Sequence, residues 1–199
     1  MRVAVAWPPR AEMTCHANSF ARAVTAAGRS WHAVLGACLD QLEPMPVGAN
    51  LGIVYLSEAL APMADDIVRA LRERTGVLEW LGACGGAVLG GPAGASDDGL
   101  AVLVTRMPEG SFRIVPSRMA MPTQIGLLLA HAELGEAPPP MILADLARHD
   151  ARTVVGGLIA AARSPVQIAE TVMGGSPVCI GFRDDLPVLG GMAAAGTPM

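Results

Sequence analysis

A spacing of 74 residues constrains the fold of this chain most tightly. Gly52 in "GIVYLSE" recurs as Gly126 in "GLLLAHA", and Gly82 in "EWLGACGG" recurs as Gly156 in "TVVGGLIA", each 74 positions on without a gap. Each copy runs in the same order: apolar stretch, helical stretch, second apolar stretch, glycine turn. Such agreement in element order marks an internal repeat. A strand, a crossover helix and a second strand favour parallel pairing. Two similar β-α-β units therefore predict an α/β fold, with a mixed, mainly parallel sheet covered by helices. Pro108-Glu109-Gly110 is a turn signal between "GLAVLVTRM" (Gly99–Met107) and "SFRIVPS" (Ser111–Ser117). It adds an expected antiparallel hairpin.

The individual elements follow from periodicity. "SFARAVT" (Ser19–Thr25) reads as a strand. After Ser30, a candidate N-cap, the apolar residues Trp31, Val34, Leu35, Cys38, Leu39 and Leu42 fall on one helix face. "LGIVYLS" (Leu51–Ser57) is a buried-strand run. Leu60, Met63, Ala64, Ile67, Val68 and Leu71 form the next helical stripe, with Pro62 in the first turn, Asp65 four before Arg69, and Gly76 as the stop. Further strands are expected at Val77–Leu81, Gln124–Ala132, Ala151–Gly157, over "SPVCIGF" and over "LPVLGGM", with a short helix at Pro138–Asp150.

Composition narrows the function classes. Hydrophobic residues make up 52% of the 199-residue chain and charged residues 16%, so a sizeable aliphatic core is available. The net charge of -4, with no basic patch, argues against a nucleic-acid partner. Four cysteines (15, 38, 84 and 179) show neither C-x-x-C nor zinc spacing. Free thiols in a reducing, cytoplasmic setting are expected, with no metal and no cofactor. No apolar run reaches the roughly 20 residues of a membrane span, so no membrane partner is expected either. Residues 1–18 are expected to be an N-terminal extension and 19–199 one domain.

The stretch Glu79–Gly91, "EWLGACGGAVLGG", supports three readings. "GACGG" matches the nucleophile elbow with Cys84 in place of serine, but no helix of useful length can start after it. A phosphate cradle lacks its lysine and its helix N-terminus. In the third reading, glycines let strand ends approach a ligand or one another closely. Gly82, Gly85 and Gly86 with Cys84, and Gly156 with Gly157, would then floor a pocket; tight packing is the plain alternative. Ser57 and Glu58 end the strand before a crossover, where α/β sheets bind ligands. His131 sits at a strand end, and Arg163, after the second glycine turn, offers a carboxylate partner if it is buried.

These residues resemble a known family. "LGIVYLS…LRERTGVLEWLGACGGAVLGG…DDGLAVLVTRMPEG" is similar to the N-terminal part of the FIST domain, as are "ARTVVGGLIAAAR…VMGGSPVCIGF" and the terminal "LPVLGGMAAAGTPM". The resemblance covers residues 19–199. It departs from the family pattern at Cys84, two residues after Gly82 rather than adjacent to it, and at Ala194 and Ala195, where a cysteine is expected. It implies an intracellular sensory module for small ligands such as amino acids, found with signalling domains in bacteria and with an F-box in eukaryotes. The resemblance stops before a FIST C-terminal half, so the expectation is either a truncated chain or a stand-alone version; that half could be a partner, as could a second copy. The sequence thus points to a small-ligand sensor rather than an enzyme. The alternatives are a Cys84-dependent hydrolase and a protein-interaction scaffold without a ligand.

Overall fold

The strands β2 (Leu51–Ser57) and β3 (Glu79–Gly85) carry buried residues on both faces, with Tyr55 of β2 37% exposed, so each face must be largely covered. In the computed structural model, which describes residues 20–89, 95–116, 125–133, 144, 151–159, 166–169, 172–173 and 177–187, two different layers cover them. Helices lie on one side. A second β-sheet lies on the other.

The helical layer is α1 (Trp31–Leu42) and α2 (Ala64–Thr75), the latter entered through a 3-10 turn at Glu58–Met63 that contains Pro62. Ser30 takes the N-cap position of α1 but makes no side-chain cap bond. The guanidinium of Arg22 instead steadies the other end of that helix, donating to the carbonyls of Leu42 and Pro44 at 3.3 and 2.8 Å. In α2 the acidic residues Asp65 and Asp66 occupy the first turn and Arg72 and Arg74 the last, as the helix dipole favours. Arg69 pairs with Asp66 rather than with Asp65. Gly76 ends the helix in the left-handed conformation (φ 72°), its N–H bonded to the Arg72 carbonyl.

The first sheet is six-stranded, in the order β1-β6-β2-β3-β10-β11. Its other members are β1 (Ala21–Ala27), β6 (Gly99–Thr105), β10 (Gln167–Ile168) and β11 (Val172–Met173). The second sheet is four-stranded, in the order β7-β12-β8-β9, from β7 (Phe112–Pro116), β8 (Ile125–Glu133), β9 (Thr153–Ile159) and β12 (Val178–Arg183). A two-stranded ribbon, β4 (Val88–Leu89) with β5 (Ala95–Ser96), lies beside them. One face of the first sheet packs on the helices through Val54, Leu56, Trp80, Val102 and Ile168. Trp80 is wholly buried, and its ring occupies the place a side chain at Gly52 would need, 2.4 Å from an added Cβ. The opposite face meets the second sheet through Leu51 and Leu81 against Ile114, Val178 and Ile180. Gln167 ties the two sheets by accepting the Val178 N–H at 2.9 Å.

This architecture corrects the expected fold class. Of the nine strand pairings among the described residues, only β2–β3 and β8–β9 are parallel. The molecule is therefore two mixed, largely antiparallel sheets with helices on one side, not a mainly parallel sheet covered by helices. An apolar strand shows that both its faces are covered, and a sheet covers as well as a helix does. The expected Gly99–Ser117 hairpin is also overturned. β6 and β7 follow one another in sequence, yet β6 lies between β1 and β2 in one sheet and β7 pairs with β12 in the other. The extension at 1–18 lies outside the described residues. So do the Pro138–Asp150 helix apart from Ala144 and the terminal strand apart from Leu186 and Pro187.

Candidate functional site

Both parallel pairs run the same way internally, and their carboxyl-terminal ends meet across the two sheets. Tyr55 of β2 and His131 of β8 form that meeting point. The tyrosine hydroxyl and the histidine Nε2 are 2.9 Å apart. The rings are edge-on, with centroids 5.3 Å apart and planes at 87°, an arrangement aromatic rings favour. Beside this pair is a cavity of about 350 Å³, at the small end of the range for ligand pockets. Its walls come from β2 and β3 on one side (Leu56, Ala83, Gly85) and from β9 on the other (Gly157, Ile159). Val88 and Ala101 add apolar surface.

The glycines divide into two kinds. A Cβ at Gly82 would lie 2.0 Å from the Val54 carbonyl oxygen, and one at Gly156 would lie 1.8 Å from the Ala130 carbonyl oxygen. Gly156 also has φ 149°, which side chains rarely adopt. These two let neighbouring strands approach closely, and neither lines the cavity. Gly85 and Gly157 do line it. A Cβ at Gly157 would meet nothing within 4 Å, and one at Gly85 only the Ala87 carbonyl at 3.7 Å. Gly86 is exposed, faces open space and lies off the cavity wall.

The titratable groups at the cavity are held neutral near pH 7. Burial lowers His131 from 6.5 to about 4 and raises the Tyr55 phenol. Cys84 borders the cavity, in register with Leu56, and its thiol is pushed up to about 11, first by burial and then by the nearby Glu58 carboxylate. Such a sulfur is a thiol at pH 7, not a thiolate. The partner of His131 is Tyr55, not Cys84. The Cys84 sulfur faces the Gly85 carbonyl at 3.9 Å. Cys38, Cys84 and Cys179 are all free and buried.

Two buried polar atoms at this end of the strands have no hydrogen-bond partner among the described residues: His131 Nδ1 and Ser57 Oγ. Ser57 is in register with Gly85 and fully buried. Unpartnered buried polar atoms are rare, and each calls for an explanation. Arg163 lies outside the described residues. The structure thus brings Cys84, Gly85, Gly157 and His131 to one cavity, places Ser57 beside it, and leaves Gly82, Gly86 and Gly156 outside. The residue that sequence reasoning missed is Tyr55. Its signal was available: it is the chain's single tyrosine, set in an otherwise apolar strand two positions before Ser57.

A family model of the FIST N domain matches residues 50–199, three-quarters of the chain. The chain belongs to the FIST N family. β1 and α1 precede the matched span, whereas both parallel pairs and every residue of the cavity fall inside it. FIST domains are linked to sensing in signal transduction. No curated protein matches the chain. In this FIST N domain, no helix among the described residues is long and apolar enough to cross a membrane.

Proposed function

We propose that this domain senses a small molecule in the cavity between the two parallel strand pairs, in the cytoplasm, and that it binds its ligand without transforming it. The observation that carries this reading is the cavity's position and lining. It lies at the carboxyl ends of both parallel strand pairs, between one sheet and the other, and is bounded mainly by apolar side chains and glycines. Gly85 and Gly157 leave its wall without side-chain bulk, Gly157 with open space before it, and a tyrosine–histidine pair supplies a polar handle. Because Tyr55 belongs to one sheet and His131 to the other, a ligand competing for either group acts on the contact between the sheets. That is a physical route from occupancy to signal. A protonated Cys84 thiol facing a carbonyl supports binding over nucleophilic catalysis.

Thermal unfolding with a panel of amino acids and related metabolites, the class the family resemblance implies, tests the reading. A ligand bound only by the folded state at a hundred times its Kd adds about 2.7 kcal/mol of stability. Gly157→Leu, which projects a side chain into the cavity, is expected to remove that shift. A shift of equal size in the variant would place the ligand elsewhere.

A further inference from the structure

Tyr55 stands between two alanines. It is in register with Ala83 on one neighbouring strand and with Ala101 on the other, so the three side chains project from one face of the first sheet. All three line the cavity. Two methyl groups there leave room on either side of the tyrosine ring that larger residues would fill. On the second sheet His131 likewise has a small neighbour in register, Gly157. The lining also divides by exposure. Leu56, Ala83, Val88 and Ile159 are buried, whereas Tyr55, Ala87 and Gly157 are exposed. Resting on the reading that this cavity is a ligand site, we infer that it holds its ligand by an apolar tail. The tail lies beside Tyr55 over Ala83 and Ala101, against Leu56, Val88 and Ile159, and the polar head stays at the exposed residues. Ala83 and Ala101 then set the size of tail accepted.

Desolvation orients the ligand. A hydrocarbon group against the buried aliphatic residues exchanges water for side-chain contact, and each methylene so buried favours binding by about fourfold. A polar head pressed against the same residues gives up its water for carbon. At Tyr55, Ala87 and Gly157 it keeps solvent contact, whether it is charged or neutral. The Tyr55 hydroxyl is also within reach there. If it donates to His131 Nε2, its oxygen keeps lone pairs for a donor on the head; if Nε2–H donates to it, its proton is free for an acceptor. Heads of either kind are therefore met, and the length and bulk of the tail govern affinity.

Because Tyr55 is the chain's single tyrosine, a tyrosine label reports on this cavity alone. The full chain, labelled with 13C-tyrosine, is titrated with three series that differ in head: acetamide, butyramide and hexanamide; acetate, butyrate and hexanoate; ethylamine, butylamine and hexylamine. In every series the longest member is expected to saturate the Tyr55 shift at a concentration roughly tenfold or more below the shortest. Ala101→Leu, at a half-buried position, is expected to weaken the longest members by roughly tenfold. Ala83→Val, a smaller change at a buried position, is expected to act in the same direction. A rise with tail length that both variants retain places the tails elsewhere and overturns the inference. Saturable binding that is flat in tail length, or set by the head more than by the tail, also overturns it and leaves the ligand site standing. If no compound moves the Tyr55 signal, the cavity reading itself fails, and the inference with it.

Discussion

The two parallel strand pairs make the same contact in very different surroundings. In β2–β3, Gly82 lets the strand approach the Val54 carbonyl; in β8–β9, Gly156 does the same at Ala130. The first pair lies in the middle of its sheet, between helices and the second sheet, and β3 is buried along five consecutive residues. The second pair ends in an edge strand, where Thr153, Val154, Gly156 and Gly157 are exposed. A shared backbone device therefore serves a locked centre in one place and an open margin in the other. The cavity forms where the locked pair faces the open one.

The largest expected effect breaks this likeness directly. Gly82→Ala is expected to cost about 3–5 kcal/mol in urea unfolding, because Cβ meets a backbone oxygen in a site closed on both faces. Gly156→Ala meets an equally close oxygen, but its edge strand can move outward, so a smaller loss of about 2 kcal/mol is expected. Equal losses would show that the edge is held as firmly as the centre.

A second test reads His131. Its folded value of about 4 lies below the ordinary 6.5. Between these values the unfolded chain takes up a proton that the folded chain refuses. Stability is thus fully present above pH 6.5, falls as the pH falls through the window, and levels off below about 4. The loss is on the order of 3 kcal/mol. Measured as urea unfolding against pH, the difference between the wild type and His131→Gln isolates this group from the carboxylates. A flat difference would mean that His131 is not buried against the first sheet.

How far the fold was legible in the sequence depends on the range of the interactions. Leu51–Ser57 and Trp31–Leu42 were legible residue by residue, because local periodicity and apolar runs fix them. The Gly76 stop was legible because a positive φ demands glycine. The partners of strands were not. Nothing in "GLAVLVTRM" says that β6 runs between β1 and β2, since one residue pattern serves either direction of pairing. The two-residue strands β10 and β11 are too short to carry a period. At the site, His131 and the glycines were legible as candidates. Whether a glycine serves packing or a ligand depends on what stands opposite it, and so does the role of Tyr55. Both are facts of tertiary structure.

Smaller effects sharpen the picture of the cavity. Tyr55→Phe removes the bond to Nε2 and deprives the buried imidazole of its hydroxyl partner, at an expected cost of about 1–2 kcal/mol in the same unfolding assay. Gly157→Ala, with open space before it and no positive φ, is expected to change stability by less than about 1 kcal/mol, with a slight gain from restricting the unfolded chain. A loss as large as that at Gly156 would mean that Gly157 serves packing rather than the cavity.

The central claim is that the two sheets meet at Tyr55 and His131 beside an open cavity. The nuclear Overhauser effect between these two rings tests it most directly, with the single tyrosine assigned at once and His131 assigned through its glutamine variant. The account predicts a clear cross-peak between rings whose centroids lie 5.3 Å apart, weakening or shifting when a ligand occupies the cavity. Two assigned rings with no cross-peak in the free protein would contradict it.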